Sequence, residues 1–232
     1  MRILSLLLLA LVKPSNPIVE WDHFEKSVRN QIIQQVEAKR QLPALIEALR
    51  EACRQHAFRR LSSWQFPVQG YGVKDMGTGG FKPKGYSFYD GNHHGGHPAY
   101  DIFIRDRNQD SLDDKTNSPV MVVSPVDMLI LSIETNWTKD SEIRGGRYVW
   151  ALDPLEDRLF YFAHLSEIRT NPGVFCPAGS TIGTVGRTGK NAQPPRSPTH
   201  LHLMVLEIKN DALLPLDYSI YFDEGGHPSP AQ

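Results

Sequence analysis

The stretch Thr199–Ile208, THLHLMVLEI, sets two histidines one residue apart inside an apolar run that includes Leu201, Leu203, Val205 and Ile208. On a strand, residues two apart point to the same face. His200 and His202 therefore project together, while Leu201 and Leu203 face the other way. Two neighbouring imidazoles repel when both are charged, and they become favourable when at least one binds a metal. An H-x-H alone also suits an exposed polar face, so the rest of the chain has to decide.

The runs VMVVSPVDMLILSIE, GGRYVWALD, RLFYFAHL and STIGTVG share the strand character of THLHLMVLEI. They are rich in Val, Ile, Tyr and Phe, and Gly, Pro, Asn and Asp separate them. No ten-residue amphipathic helix intervenes, which predicts a mainly β fold, an antiparallel sheet with long loops. Before it, Phe24, Val28, Ile32 and Val36, then Leu42, Leu45, Leu49 and Cys53, recur at three- and four-residue steps. That is helical periodicity, with Pro43 expected to divide it into two helices. This segment carries no chemistry and reads as a spacer or packing element. The predicted organisation is a signal sequence or short hydrophobic segment over 1–16, a helical segment over 20–60, the β domain over 62–220 and a flexible tail over 221–232, with His227 inert.

The chain of 232 residues is 40% hydrophobic, enough for one core, and its formal net charge is −1. Such a balance offers no one-sign field for phosphate or anionic membranes, so nucleic acid is not an expected partner. Arg2 precedes an apolar run from Ile3 to Val12, too short to span a bilayer but suited to the core of a secretory signal. Export to the periplasm or cell exterior is expected, with no membrane span left after processing. The two cysteines, Cys53 and Cys176, leave a disulfide and two separate buried thiols both open.

A second histidine cluster, GNHHGGHPAYDIFIRD, spans Gly91–Asp106. His97 and Asp101 lie four apart, and Pro98 argues against a continuous helix through them. AYDIFI reads as a strand, giving Asp101 a defined face. An imidazole and a carboxylate suit zinc, and three protein ligands with one open position mark a catalytic site. His97, Asp101 and one histidine of the H-x-H supply that set. His93 and His94 read as loop residues at the rim. His164, at the end of RLFYFAHL, sits where an acid or base can reach a metal-activated water.

The order HPAYD, FAHL, IGTVGRTG, HLHL resembles that of the lysostaphin-type, LytM-like zinc metallopeptidases, which cut peptidoglycan cross-links. The resemblance covers roughly Trp64 to Tyr218, including PLDY. It implies zinc held by His97, Asp101 and His202, with His164 and His200 flanking the water that zinc activates. It also implies a peptidoglycan peptide as substrate. No H-E-x-x-H supplies a glutamate base, so the two histidines are left to manage protons. Which one is the base stays open, and Tyr100 and Tyr161 are candidates to support them. The link KNAQPPRSPT, longer than in relatives and with Thr199 in place of the usual glycine-proline, is expected to reshape the groove. Some relatives have lost ligands and regulate other wall hydrolases, which is the rival reading; a structural metal-binding protein without turnover is another.

Two further motifs resemble ligand-binding loops. GTVGRTGKN fails the phosphate-loop spacing and reads as a tight turn. In DRNQDSLDD, Asp106, Asn108, Asp110 and Asp114 match the first, third, fifth and ninth places of a calcium loop. Ser111 stands where glycine is wanted and no glutamate closes the loop. A calcium (Ca2+) site and a solvated acidic loop are both open.

Overall fold

The computed structural model describes residues 16–222. Residues 1–15 of the predicted signal segment and His227 lie outside the described residues. Helix α1 (Pro17–Arg29) begins where the Asn16 side chain accepts a hydrogen bond from the Ile18 amide at 3.0 Å, with Pro17 in the first helical position, a position that needs no amide proton. Helix α2 (Gln35–Cys53) follows.

The break between the helices is not at Pro43, as the sequence predicted, but at Asn30–Gln34, where Gln31 turns through a left-handed φ of 56°. Pro43 lies inside α2 and removes one main-chain hydrogen bond there. Burial of Leu42, Leu45, Ile46 and Leu49 on the same helix holds it together regardless, each fully buried leucine contributing about 1.5–3 kcal/mol. Because the turn intervenes, Ile32 and Val36 fall out of the apolar stripe and are exposed.

The strands are β1 (Ala99–Phe103), β2 (Leu112–Asp113), β3 (Ser118–Pro119), β4 (Met121–Val123), β5 (Met128–Glu134) and β6 (Tyr148–Asp153). They continue with β7 (Arg158–Ala163), β8 (Glu167–Ile168), β9 (Phe175–Cys176), β10 (Thr181–Thr184), β11 (His200–Lys209) and β12 (Ala212–Pro215). The main sheet runs β1-β11-β7-β6-β5-β9, antiparallel throughout, and β12 pairs with the far half of β11. A small sheet, β4-β10-β8, and the β2-β3 ladder complete a mainly β fold preceded by helices.

Alternation along β11 divides the core. Leu201, Leu203 and Val205 pack with Ile102, Phe160 and Phe162 against Val122 and Ile182 of the small sheet. Met204, Leu206 and Ile208 face the other side, where Trp150, Leu159, Trp21, Phe24, Leu42 and Leu49 pack. His200 and His202 share the parity of Met204, so they lie on the face that the helices cover further along. The packed domain extends into the start of the predicted tail: Phe222 is buried, with ring contacts to Trp64 at 5.9 Å and Phe66 at 5.2 Å. Cys53 and Cys176 are separate buried thiols. Among the described residues, no helix is long and apolar enough to cross a membrane.

Helix α1 is pinned to the sheet by a buried polar chain. Arg29 donates to Glu134 and to the Tyr148 hydroxyl, both at 2.6 Å. Tyr148 donates on to Glu25 at 3.0 Å, and Ser132 donates to Glu25 at 3.2 Å. Burial pushes the Glu25 carboxyl up to about 7, against the pull of Arg29. The folded protein thus holds a proton that the unfolded chain releases above its ordinary carboxylate value. Stability from this group is complete below about pH 4.5 and is lost as pH rises through about 7. In urea unfolding, Glu25→Gln should remove about 2–3 kcal/mol of the stability loss between pH 4.5 and 8; an unchanged pH profile would show that Glu25 is charged in the fold.

Candidate metal centre

The β1–β11 ladder sets Asp101 directly opposite His202. The His202 Nδ1 lies 2.9 Å from Asp101 Oδ1, and the His97 Nε2 lies 3.2 Å from the same oxygen. His97 precedes β1, yet its backbone is fixed by a reciprocal pair of 2.7 Å bonds with Lys82. Its Nδ1 donates to the Gly80 carbonyl at 3.1 Å, which leaves Nε2 facing the carboxylate. A ligand histidine commonly has its other nitrogen held this way. One ligand atom each from His97, Asp101 and His202 lies within 4.8 Å of the other two. Among the described residues, no other histidine, cysteine or carboxylate group has this arrangement.

Burial alone would raise the Asp101 carboxyl, but hydrogen bonds from His202 and His97 hold it well below the usual carboxylate range. The bond to Asp101 in turn raises His97, against its own burial. Two imidazole nitrogens aimed at one carboxylate oxygen need either two protons or one cation between them. The N, O, N donor set fits zinc with an open fourth position.

His164 and His200 stand beside this triad. Their ring centroids are 4.9 Å apart, and His164 is 5.5 Å from His202. The His200 Nε2 is 3.7 Å from Asp101 Oδ1. His164 Nδ1 meets the Thr188 carbonyl at 2.8 Å, and His200 Nδ1 meets the Pro198 carbonyl at 2.7 Å. A carbonyl only accepts, so in both rings Nδ1 carries the proton and Nε2 keeps its lone pair. Burial lowers both rings below the ordinary histidine value, His164 well below it. His164 adopts a left-handed φ of 64° with its amide bonded to the Gly145 carbonyl at 2.8 Å. The glycine turn IGTVGRTGK approaches it closely: a Cβ on Gly189 (φ 105°) would sit 2.9 Å from His164 Nδ1 and 2.3 Å from the Arg144 carbonyl oxygen.

The five histidine and aspartate positions named from sequence thus come together in one cleft of about 260 Å³. Other positions fall elsewhere. Tyr100 neighbours Asp101 along β1 and so faces away, its hydroxyl bonded to Asp217 at 3.0 Å. Tyr161 does line the cleft, with its ring 6.3 Å from that of His202. His93 is exposed, whereas His94 lines the cleft wall.

The calcium reading of Asp106, Asn108, Asp110 and Asp114 is not supported. Asp106 accepts from the amides of Asp110 and Ser111 and from the Thr199 hydroxyl at 2.6 Å. Asp110 accepts from Leu112 and Asn108, and Asp114 from the Arg107 amide. These carboxylates fold the loop and brace the residue before His200. Arg187 secures the long link by donating to Ser197 at 2.6 Å and Pro194 at 3.1 Å, so that Asn191 and Ser197 reach the cleft.

Sequence reasoning missed the other wall. Glu25, Val28 and Arg29 of α1 line the cleft, together with Tyr86 and Arg144. The helical segment is therefore a packing element, one of the two readings its sequence left open, and it adds a wall to the cleft. No linear spacing announces this, because only packing brings α1 to the end of β11.

No family model matches the chain, and no curated protein matches it. Solved structures are similar to it. A zinc containing peptidase from Vibrio cholerae is 19% identical with a TM-score of 0.43, over 68% of this chain and 39% of that one. The antimicrobial peptidase lysostaphin from Staphylococcus simulans is 22% identical with a TM-score of 0.41, over 69% and 55%. Csd3 of Helicobacter pylori is 15% identical with a TM-score of 0.43, over 73% and 37%. The chain spans less than two thirds of the length of each of these proteins.

Proposed function

We propose that this protein is an exported zinc-dependent metalloendopeptidase that hydrolyses peptide cross-links of bacterial peptidoglycan. The observation that supports the reading is the convergence of His97, Asp101 and His202 beside two imidazoles whose Nε2 atoms are unprotonated. His97, Asp101 and His202 would hold the metal. Zinc supplies Lewis-acid chemistry, acidifying a water and polarising the peptide carbonyl. The rest falls to the chain itself. His164 and His200 are neutral near pH 7, so each can accept a proton at Nε2. The one that does so becomes the donor to the leaving amine, and the other, with its own Nε2 lone pair, can accept a hydrogen bond from the attacking water and orient it. Glu25, the cleft's other carboxylate, is committed to Tyr148 and Ser132 and does not compete as a base.

Purified protein should bind about one zinc per chain, and His97→Ala should abolish both zinc binding and the release of muropeptides from cell walls. A chelator should remove the activity and added zinc restore it. Zinc bound without cleavage of any wall preparation would overturn the enzyme reading in favour of a module that regulates other hydrolases.

His164→Ala and His200→Ala should behave differently. Each should keep zinc stoichiometry by elemental analysis while turnover falls by roughly 10²–10⁴-fold. Loss of zinc in either variant would make that residue a ligand.

A further inference from the structure

The charges lining the cleft do not balance locally. Arg29 is committed to Glu134, Asp101 is taken by histidines, and Glu25 is bonded to Tyr148. Arg144 is the remaining cation on the lining. Its Nη1 donates to the carbonyls of His94 at 2.7 Å and Asn92 at 3.3 Å, which straps the guanidinium to the loop leading into His97. Among the described residues, Arg144 has no carboxylate partner, and its Nε and Nη2 make no hydrogen bond. A half-buried guanidinium with its fork unoccupied is matched to the two oxygens of a carboxylate.

The position of this cation relates it to the metal centre. The carbonyl of the next residue, Gly145, accepts the His164 amide at 2.8 Å. The space that a side chain would take at Gly145 is filled by the Tyr161 hydroxyl, and the Tyr161 ring is 6.3 Å from that of His202. Arg144 and Tyr161 thus both line the cleft that holds His97, Asp101 and His202.

We propose that Arg144 is a specificity residue that binds a carboxylate of the substrate peptide within the cleft, with the Tyr161 hydroxyl beside it. The substrate class is therefore a peptide carrying a free carboxylate close to the scissile bond, supplied by its C-terminus or by an acidic side chain. This rests on the peptidase reading above.

The test uses the metal-free full chain, so that zinc cannot itself bind the carboxylate, with calorimetric titration of three probes. These are N-acetyl-D-alanyl-D-alanine, its C-terminal amide, and N-acetyl-D-glutamyl-D-alanine amide. At least one carboxylate-bearing probe should bind roughly tenfold or more tightly than the uncharged amide. A gain by the first assigns the carboxylate to the C-terminus, and a gain by the third assigns it to a side chain. Arg144→Gln should abolish the preference while the amide still binds, and Arg144→Lys should keep part of it; any fall in unfolding midpoint reports the lost bonds to the His94 and Asn92 carbonyls. Equal binding of all three probes, or a preference that survives in Arg144→Gln, would overturn the proposal. Failure of the peptidase reading looks different: zinc-loaded protein would cleave none of the wall peptides while the binding preference persisted.

Discussion

The site depends on the register of β1 against β11. Asp101 opposes His202 because Ile102 opposes Leu201 and Tyr100 opposes Leu203. Side chains alternate strictly on a strand, so a one-residue slip would send Asp101 into the apolar layer and bring Ile102 out to the histidines. Ile102, Leu201 and Leu203 are fully buried between the two sheets. Their burial makes the slipped register expensive. The hydrophobic core thus aligns two polar ligands that by themselves would prefer water.

A second constraint acts on the loops around that ladder. His164 leaves β7 in a left-handed conformation, one that non-glycine residues adopt sparingly. It is held there from two sides, by the Gly145 carbonyl on its amide and the Thr188 carbonyl on its ring. The same bonds choose the ring's tautomer. Local strain and proton placement are therefore settled by one set of contacts, and Gly189 is small enough to let them close.

What the sequence makes legible follows from the range of the forces involved. His97 with Asp101, and His200 with His202, are local pairs whose spacing reads directly once strands are assigned. The mainly antiparallel fold is legible because runs rich in Val, Ile, Tyr and Phe between turn residues, with no amphipathic helix between them, leave few alternatives. Tyr100 was misplaced although the same alternation that selects Asp101 excludes its neighbour from that face. Pro43 misled because a proline's local penalty was outweighed by four buried apolar residues on one helix. The acidic loop after Asp106 resembles a calcium loop in spacing, but its carboxylates cap their own backbone. The contributions of α1, Tyr86 and Arg144 to the cleft depend on how remote elements pack, and nothing in the spacing of residues encodes that directly.

The described chain has no disulfide, its two thiols being buried apart. Yet His202 and Asp101 lie 101 residues apart in sequence and meet at one point. A cation shared between them is, topologically, a removable cross-link enclosing most of the β domain. It would restrict the unfolded chain much as a long covalent loop does, and it would favour the native state in proportion to the logarithm of free metal concentration. On the proposed reading, an ion held in the cleft would also be a clasp on the fold, tying the durability of this protein to the supply of that metal.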